Sequence, residues 1–396
     1  MDWRRVSAAA VVGALIVVPA PAAAWAAACD SAPQKTAVAK GTPVEDQVYA
    51  PARLAPLATG KGIRVAVIDS GVDATYPQLE GQVARGADFL HSDDNGQQDC
   101  VGHGTEVASL IAARPAPDTG FQGLAPGAVI VPIRISEQQE IDGKAVGDRG
   151  TPRQFAEAIR WAVDQGGARV INLSLVMTDK NTEVEQAVEH AIDAGVVVVA
   201  AAGNHGTVQD GNPDPFPADY PGVIGVGAVG LDSVRADFSQ HGSYVDLAAF
   251  GKDVTVANRG GGHRPDQGTS FSAPYVSATV ALILQRFPQL TPAQVLQRLQ
   301  ATADPAPGGS DEYGAGLLNP YRAITETLGP GTRAPAVPEV MHAGDPATVA
   351  LAARRDHSQQ MALVFAAVVA GIVGLLAAGA IIIRRGRRRG WSAPGL

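Results

Sequence analysis

Five short, near-continuously apolar runs constrain this chain most: Ile63–Asp69, Val129–Ile135, Val170–Leu175, Val196–Ala201 and Val223–Val229. None alternates apolar with polar side chains, as a strand with one wet face would. Each therefore reads as a strand covered on both faces. Helical stretches lie between and after them, at Glu106–Ala113, Pro152–Gln165, Thr182–Ala194 and Ser272–Phe287. Thr291-Pro292 opens another, with threonine as N-cap and proline in the first turn. Strand–helix alternation predicts an α/β fold, a doubly wound parallel sheet flanked by helices. Ligands of such sheets bind at the carboxyl ends of the strands, where the apolar runs give way to polar residues.

The two ends of the chain read as addresses. Residues 1–28 have the parts of a secretory signal: Arg4 and Arg5, an apolar run from Val6 to Ala20, and small residues Ala26 and Ala28 before Cys29. A retained anchor, or a lipoprotein signal with Cys29 as the first mature residue, are the other readings of this segment. Near the far end, Met361–Ile383 holds 23 residues without a charge. As a helix it would span ~34 Å, enough for a hydrocarbon core of ~30 Å. Five arginines follow, Arg384, Arg385, Arg387, Arg388 and Arg389, which places the 384–396 tail in the cytoplasm. The expected layout is signal peptide 1–28, N-terminal extension 29–60, a large α/β domain 61–325, a proline-rich linker 326–360, a transmembrane helix 361–383 and a basic tail 384–396. The large domain then lies outside the cell membrane on a single C-terminal anchor.

Charge follows the same division. Residues 1–28 carry +1 and 361–396 carry +5, so a whole-chain charge of −8 leaves −14 on residues 29–360. An acidic body with no basic face argues against nucleic acid as a partner, and a basic end suits anionic lipid. Two cysteines exclude a disulfide-dense miniprotein and any four-cysteine zinc site.

Four polar interruptions supply an acid, an imidazole, an amide and a hydroxyl. They are Asp69-Ser70-Gly71, Gly102-His103-Gly104-Thr105, Ala201-Ala202-Gly203-Asn204 and Gly268-Thr269-Ser270-Phe271-Ser272-Ala273-Pro274. Acyl transfer uses such a set. A serine hydroxyl becomes a nucleophile when a neighbouring base takes its proton. His103 can be that base, and Asp69 can hold the imidazole in the required tautomer. The Asn204 side chain and the Ser270 backbone N–H can donate to the oxyanion. This chemistry needs no cofactor and no metal. The acidic loop Asp93-Asp94-Asn95 with Asp99 reads as solvated surface rather than a cation site.

With these neighbours the domain resembles a subtilisin-type serine protease, in the chain order Asp, His, Ser. The matching stretches are Val67–Val72, Gly102–Ala108, Val170–Leu175, Ala201–Asn204 and Gly268–Pro274. The resemblance implies Asp69, His103 and Ser270 as catalytic residues and Asn204 for the oxyanion. Ser174, Leu175, Ala201, Ala202 and Gly203 resemble the walls of the pocket for the residue before the scissile bond. Val176 stands where the family usually has glycine, and a side chain there implies a narrowed cleft and narrow specificity. The whole architecture is similar to that of the mycosins, membrane-anchored subtilases of type VII secretion systems. That resemblance implies a protein substrate and association with a type VII secretion membrane complex.

Only residues 29–62 separate Cys29 from the first strand, too few for an inhibitory folding domain, so the segment is expected to lie as an extension across the protease surface. On the oxidising exported face, Cys29 and Cys100 are expected to bridge it to the loop before His103. The loop closed would hold ~70 residues, worth ~4 kcal/mol by chain entropy. Two other functional classes share features with this chain. A lipase or esterase is excluded by chain order and by Ser272 in the last glycine place of Gly-x-Ser-x-Gly. A scaffold that stabilises the secretion complex, with proteolysis dispensable, stays open.

Overall fold

A parallel seven-stranded sheet carries the fold, in the order β2-β3-β1-β6-β7-β8-β9. The computed structural model describes residues 34–91, 95–141 and 144–329. The signal segment, Cys29, Asp93, Asp94, the linker from residue 330, the 361–383 run and the basic tail lie outside the described residues. The strands are β1 Arg64–Asp69, β2 Ala87–Asp88, β3 Val129–Arg134, β4 Gln139–Ile141, β5 Lys144–Val146, β6 Val170–Leu173, β7 Val197–Ala201, β8 Ile224–Val229, β9 Leu247–Phe250, β10 Val254–Ala257 and β11 His263–Asp266. The pairs β4–β5 and β10–β11 are separate antiparallel ribbons. The helices are α1 Val44–Tyr49, α2 Pro51–Leu54, α3 His103–Ala112, α4 Pro152–Asp164, α5 Thr182–Asp193, α6 Thr269–Arg286, α7 Pro292–Thr302, α8 Ser310–Tyr313 and α9 Pro320–Thr325. Among the described residues no helix is long and apolar enough to cross a membrane.

The five apolar runs become β1, β3, β6, β7 and β8, each within two residues of its expected ends. Their composition explains the two-sided burial. In β1, Val65 and Val67 enter one core cluster while Ala66 and Ile68 enter the other. Successive side chains on a strand point to opposite faces, so a run without polar residues is stable only between two helical layers. Helices α3 and α6 cover one face and α4 and α5 the other. Thr-Pro-x-Gln starts both α4 and α7: Thr151 and Thr291 cap the third N–H, and Gln154 and Gln294 reach back to the cap. Helix α6 is buried from Thr269 to Leu284, so it runs through the core rather than over it.

Three expectations change. Helix α3 begins at His103, not Glu106, and α6 at Thr269, not Ser272. Both are entered through a glycine, Gly102 at φ +103 and Gly268 at φ +154, where the sequence had suggested a longer loop. The strand from Val170 stops at Leu173, which frees Ser174 for another bond described below.

The extension also differs from expectation. Within residues 34–62 it does not simply lie on the surface. Helices α1 and α2 drive Tyr49 and Leu54, 5% and 1% exposed, into the main core cluster. The Tyr49 ring sits 5.0 Å from Phe250 and 4.9 Å from Tyr275 of α6, and its hydroxyl accepts the Phe250 N–H. Further along, Ala39 accepts the Gly120 N–H and donates to His263 Nδ1.

Candidate active site

Asp69 ends β1, with 1% of its side chain exposed. Its Oδ1 accepts the Ser70 N–H and lies 2.7 Å from His103 Nδ1. Burial opposes charge on the His103 ring. The hydrogen-bonded Asp69 carboxylate, with Glu106 and Asp99 behind it, outweighs that and lifts the pKa to about 9. Glu106 is itself buried, and burial raises its pKa to about 7 although Arg264 donates to it from Nε and Nη2.

Asp99 is the residue that sequence reasoning misread. It is 6% exposed and accepts five hydrogen bonds. Ser70 Oγ, Val101 N and Gly102 N donate to Oδ1, while Thr105 N and Oγ1 donate to Oδ2. It is thus neither solvated surface nor a cation ligand: it ties the end of β1 to the first turn of α3, fixing the two elements that carry Asp69 and His103. Cys100 beside it is buried, touches the Arg134 guanidinium and carries no free thiol.

Ser270 is the second residue of α6 and is 8% exposed. Pro274 sits four residues on and has no N–H, so the Ser270 carbonyl lacks its helical partner. Ser174 Oγ donates to that carbonyl at 2.8 Å and accepts from Asn172 Nδ2 at 2.9 Å. Asn172 Oδ1 in turn takes Ser277 Oγ of the same helix. Ser270 Oγ and His103 share the cleft, but no hydrogen bond closes between them in this unliganded geometry. Such bonds commonly tighten only around substrate.

Asn204 follows β7. Its Oδ1 accepts both the N–H and the hydroxyl of Thr269, at 2.8 and 2.9 Å, so the amide nitrogen turns the other way. A Cβ at Gly268 would stand 3.3 Å from Asn204 Nδ2 and 2.8 Å from Ser270 Oγ. The Ser270 hydroxyl and the Asn204 amide therefore border one small space, kept open by a glycine. Thr269, which orients the amide, was not singled out from the sequence, although it lies inside the quoted motif.

Ser174, Leu175, Val176 and Ala201 line a cleft of about 250 Å³ with Asp69, His103, Asn204 and Ser270. Ala202 and Gly203 do not line it; both are buried behind it. An imidazole held by a carboxylate, a helix-terminal hydroxyl and an oriented amide at one cleft can perform acyl transfer. Residues 60–316 match the Subtilase family, Peptidase_S8.

The chain belongs to the subtilase family. It is a subtilisin-type serine endopeptidase related to the mycosins. Mycosin-1 of Mycobacterium tuberculosis is 38% identical over 320 residues, covering 69% of this chain and 71% of that one. Subtilisin E of Bacillus subtilis is 38% identical over 273 residues, covering 69% and 68%. The solved structure of the serine protease MycP1, an essential component of the type VII (ESX-1) secretion system, aligns with a TM-score of 0.64 and 34% identity, over 75% of this chain and 92% of that one.

Among the described residues of this subtilase, one group could present three metal ligands: His91, Glu137 and Asp148, whose donor atoms lie within 4.8 Å of one another. Glu137 is already paired with Arg134 and lies 3.3 Å from His91 Nε2. The guanidinium puts positive charge where a cation would have to sit.

Proposed function

We propose that this subtilase cleaves few protein substrates outside the cell membrane, using Ser270 as nucleophile, His103 as general base, Asp69 to orient His103, and Asn204 with the Ser270 N–H at the oxyanion. The observation that carries this reading is the 2.7 Å contact of His103 Nδ1 with Asp69 beside a hydroxyl and an amide that face one space. Proton transfer from Ser270 Oγ to His103 Nε2 would generate the alkoxide that attacks the scissile carbonyl. The imidazolium so formed, stabilised by Asp69, would return the proton to the leaving amine. Val176 in the cleft wall supports narrow specificity.

The uncharged run 361–383 and the five arginines after it support a single membrane anchor with a cytoplasmic tail. Similarity to Mycosin-1 and MycP1 supports association with a type VII secretion membrane complex. Cys100 is not a free thiol and the chain has one other cysteine, which supports a Cys29–Cys100 bridge holding the extension.

The decisive experiment compares Ser270→Ala with a full deletion. Purified Ser270→Ala protein should fold and cleave no peptide; undiminished cleavage would refute the assignment. In cells, secretion lost in both strains supports an essential proteolytic role. Secretion kept by Ser270→Ala and lost on deletion makes the scaffold the main function. Protease added to intact protoplasts should digest residues before 361 and spare the tail.

A further inference from the structure

Among the described residues, Arg149 of the substrate cleft has no carboxylate partner, and we propose that it selects an acidic side chain on the bound polypeptide. The proposal rests on the protease reading above and adds a substrate class to it.

Arg149 is built into one wall and reaches the other. Its backbone is fixed by antiparallel pairing: the Glu137 N–H donates to Asp148 O at 2.7 Å and the Gly150 N–H to Ile135 O at 2.8 Å. From that ribbon the guanidinium crosses to donate from Nη2 to Val176 O at 2.8 Å. Arg149, Ser136 and Leu175 line both the catalytic cleft and an adjoining cavity of about 330 Å³. A chain that fills both must pass this guanidinium.

Among the described residues no neighbouring acid lies within ion-pair distance of Arg149. Asp148 groups with His91 and Glu137. Asp179 and Lys180 line the adjoining cavity, but Lys180 pairs with Glu185 at 2.7 Å, and Asp179 is not within ion-pair distance of Arg149. Among the described residues, Arg149 has one hydrogen bond, to a carbonyl, and no ion pair. A guanidinium has five N–H donors in a planar fork that matches a carboxylate. Exposed, such a pair is worth little, but a substrate that covers the cleft removes the water that screens it.

The body of the protein carries −14 over residues 29–360, so its general field repels acidic peptides. A preference for acid arising from Arg149 is therefore confined to one substrate position and runs against the trend at the others. That contrast separates a local contact from bulk electrostatics.

The test uses a neutral fluorogenic parent peptide and sets with Asp, Asn or Lys placed at each position in turn. The ratio of kcat/KM for Asp over Asn is the readout, because an unfolded fraction lowers both equally. The wild type should show a ratio of about 10 at one position and below 1 elsewhere, a difference of ~1.4 kcal/mol at that site. Arg149→Gln should bring that ratio to about 1, and Arg149→Glu should turn the same position toward Lys. No acid-preferring position in the wild type, or a ratio that survives Arg149→Gln, overturns the proposal. Failure of the wild type to cleave any peptide overturns the protease reading beneath it instead.

Discussion

Ser174 Oγ donates a hydrogen bond of 2.8 Å to the carbonyl of Ser270, the one main-chain acceptor that Pro274 leaves without a helical partner. A proline that would weaken most helices here creates a socket for a residue from the neighbouring strand end. Through Asn172 the socket is tied to Ser277, about two turns further along α6. Ser174→Ala should leave the buried Ser270 carbonyl and the Asn172 amide without a partner, costing about 1–3 kcal/mol. Urea denaturation measures this directly. Turnover should fall with it, since the helix end carrying the hydroxyl is no longer anchored to the sheet; stability equal to wild type would refute the role of the socket.

The His103 environment predicts alkaline activity. As the proposed general base, His103 must be neutral to take a proton, and its pKa is raised to about 9. The acid limb of the kcat/KM profile should therefore lie well above 6.5, with activity rising through pH 7 to 9. The ring keeps 28% exposure, so solvent screens part of this shift. Glu106→Gln removes one of the charges that raise it and should move the limb toward acid. The sign for stability is opposite. A histidine whose pKa is raised on folding adds stability that is complete below pH ~6.5 and lost as pH climbs toward 9. A limb at or below 6.5 in the wild type would contradict this account.

Thr269 holds the amide of Asn204 by two bonds to Oδ1. Asn204→Ala should lower kcat far more than it raises KM; in subtilisin, loss of the oxyanion-hole asparagine costs about 10²–10³. Thr269→Val keeps the backbone N–H bond and removes the hydroxyl one, so the amide gains freedom to rotate. Its kcat should fall by a smaller factor, about 10, with KM nearly unchanged. A larger effect on KM than on kcat would mean that Thr269 shapes substrate binding instead.

Much of this was readable because it depends on side-chain type in short stretches. Buried strands must be apolar throughout, so β1, β3, β6, β7 and β8 announced themselves. The acid, imidazole, amide and hydroxyl stood out because each breaks an apolar run. Strand β9 did not, since Leu247-Ala248-Ala249-Phe250 is too short to separate from core helix or loop. Asp99 was misread because an acid beside other acids looks solvated; four of its five donors lie in residues 101–105, and only the turn into α3 aims them, with Ser70 Oγ, at one carboxylate. The helices of the extension were missed for a local reason. Pro43 and Pro51 look like breakers, yet Pro51 is the first residue of α2, where its missing N–H costs nothing.

Two buried acids of the extension give a last prediction. Glu45 and Asp46 are consecutive acids on α1, 2% and 4% exposed, under the main core cluster. Glu45 accepts the Thr255 N–H and Asp46 the Gln122 N–H, one main-chain donor each. Burial raises the Asp46 pKa to about 8, opposed by the Gln122 bond and reinforced by Glu45. The folded protein thus favours the protonated acid. For a carboxyl raised on folding, stability is full below the unfolded value near 4 and declines as pH rises toward 8. Asp46→Asn keeps an oxygen for Gln122 and removes the charge. It should therefore leave the melting temperature unchanged at pH 4 and raise it by a few degrees at pH 8. Limited proteolysis should follow the same order, with the 34–62 segment cut faster at pH 8 in the wild type than in the variant. A melting temperature lowered by Asp46→Asn at pH 8 would mean that the ionised carboxylate is what holds α1 to the domain.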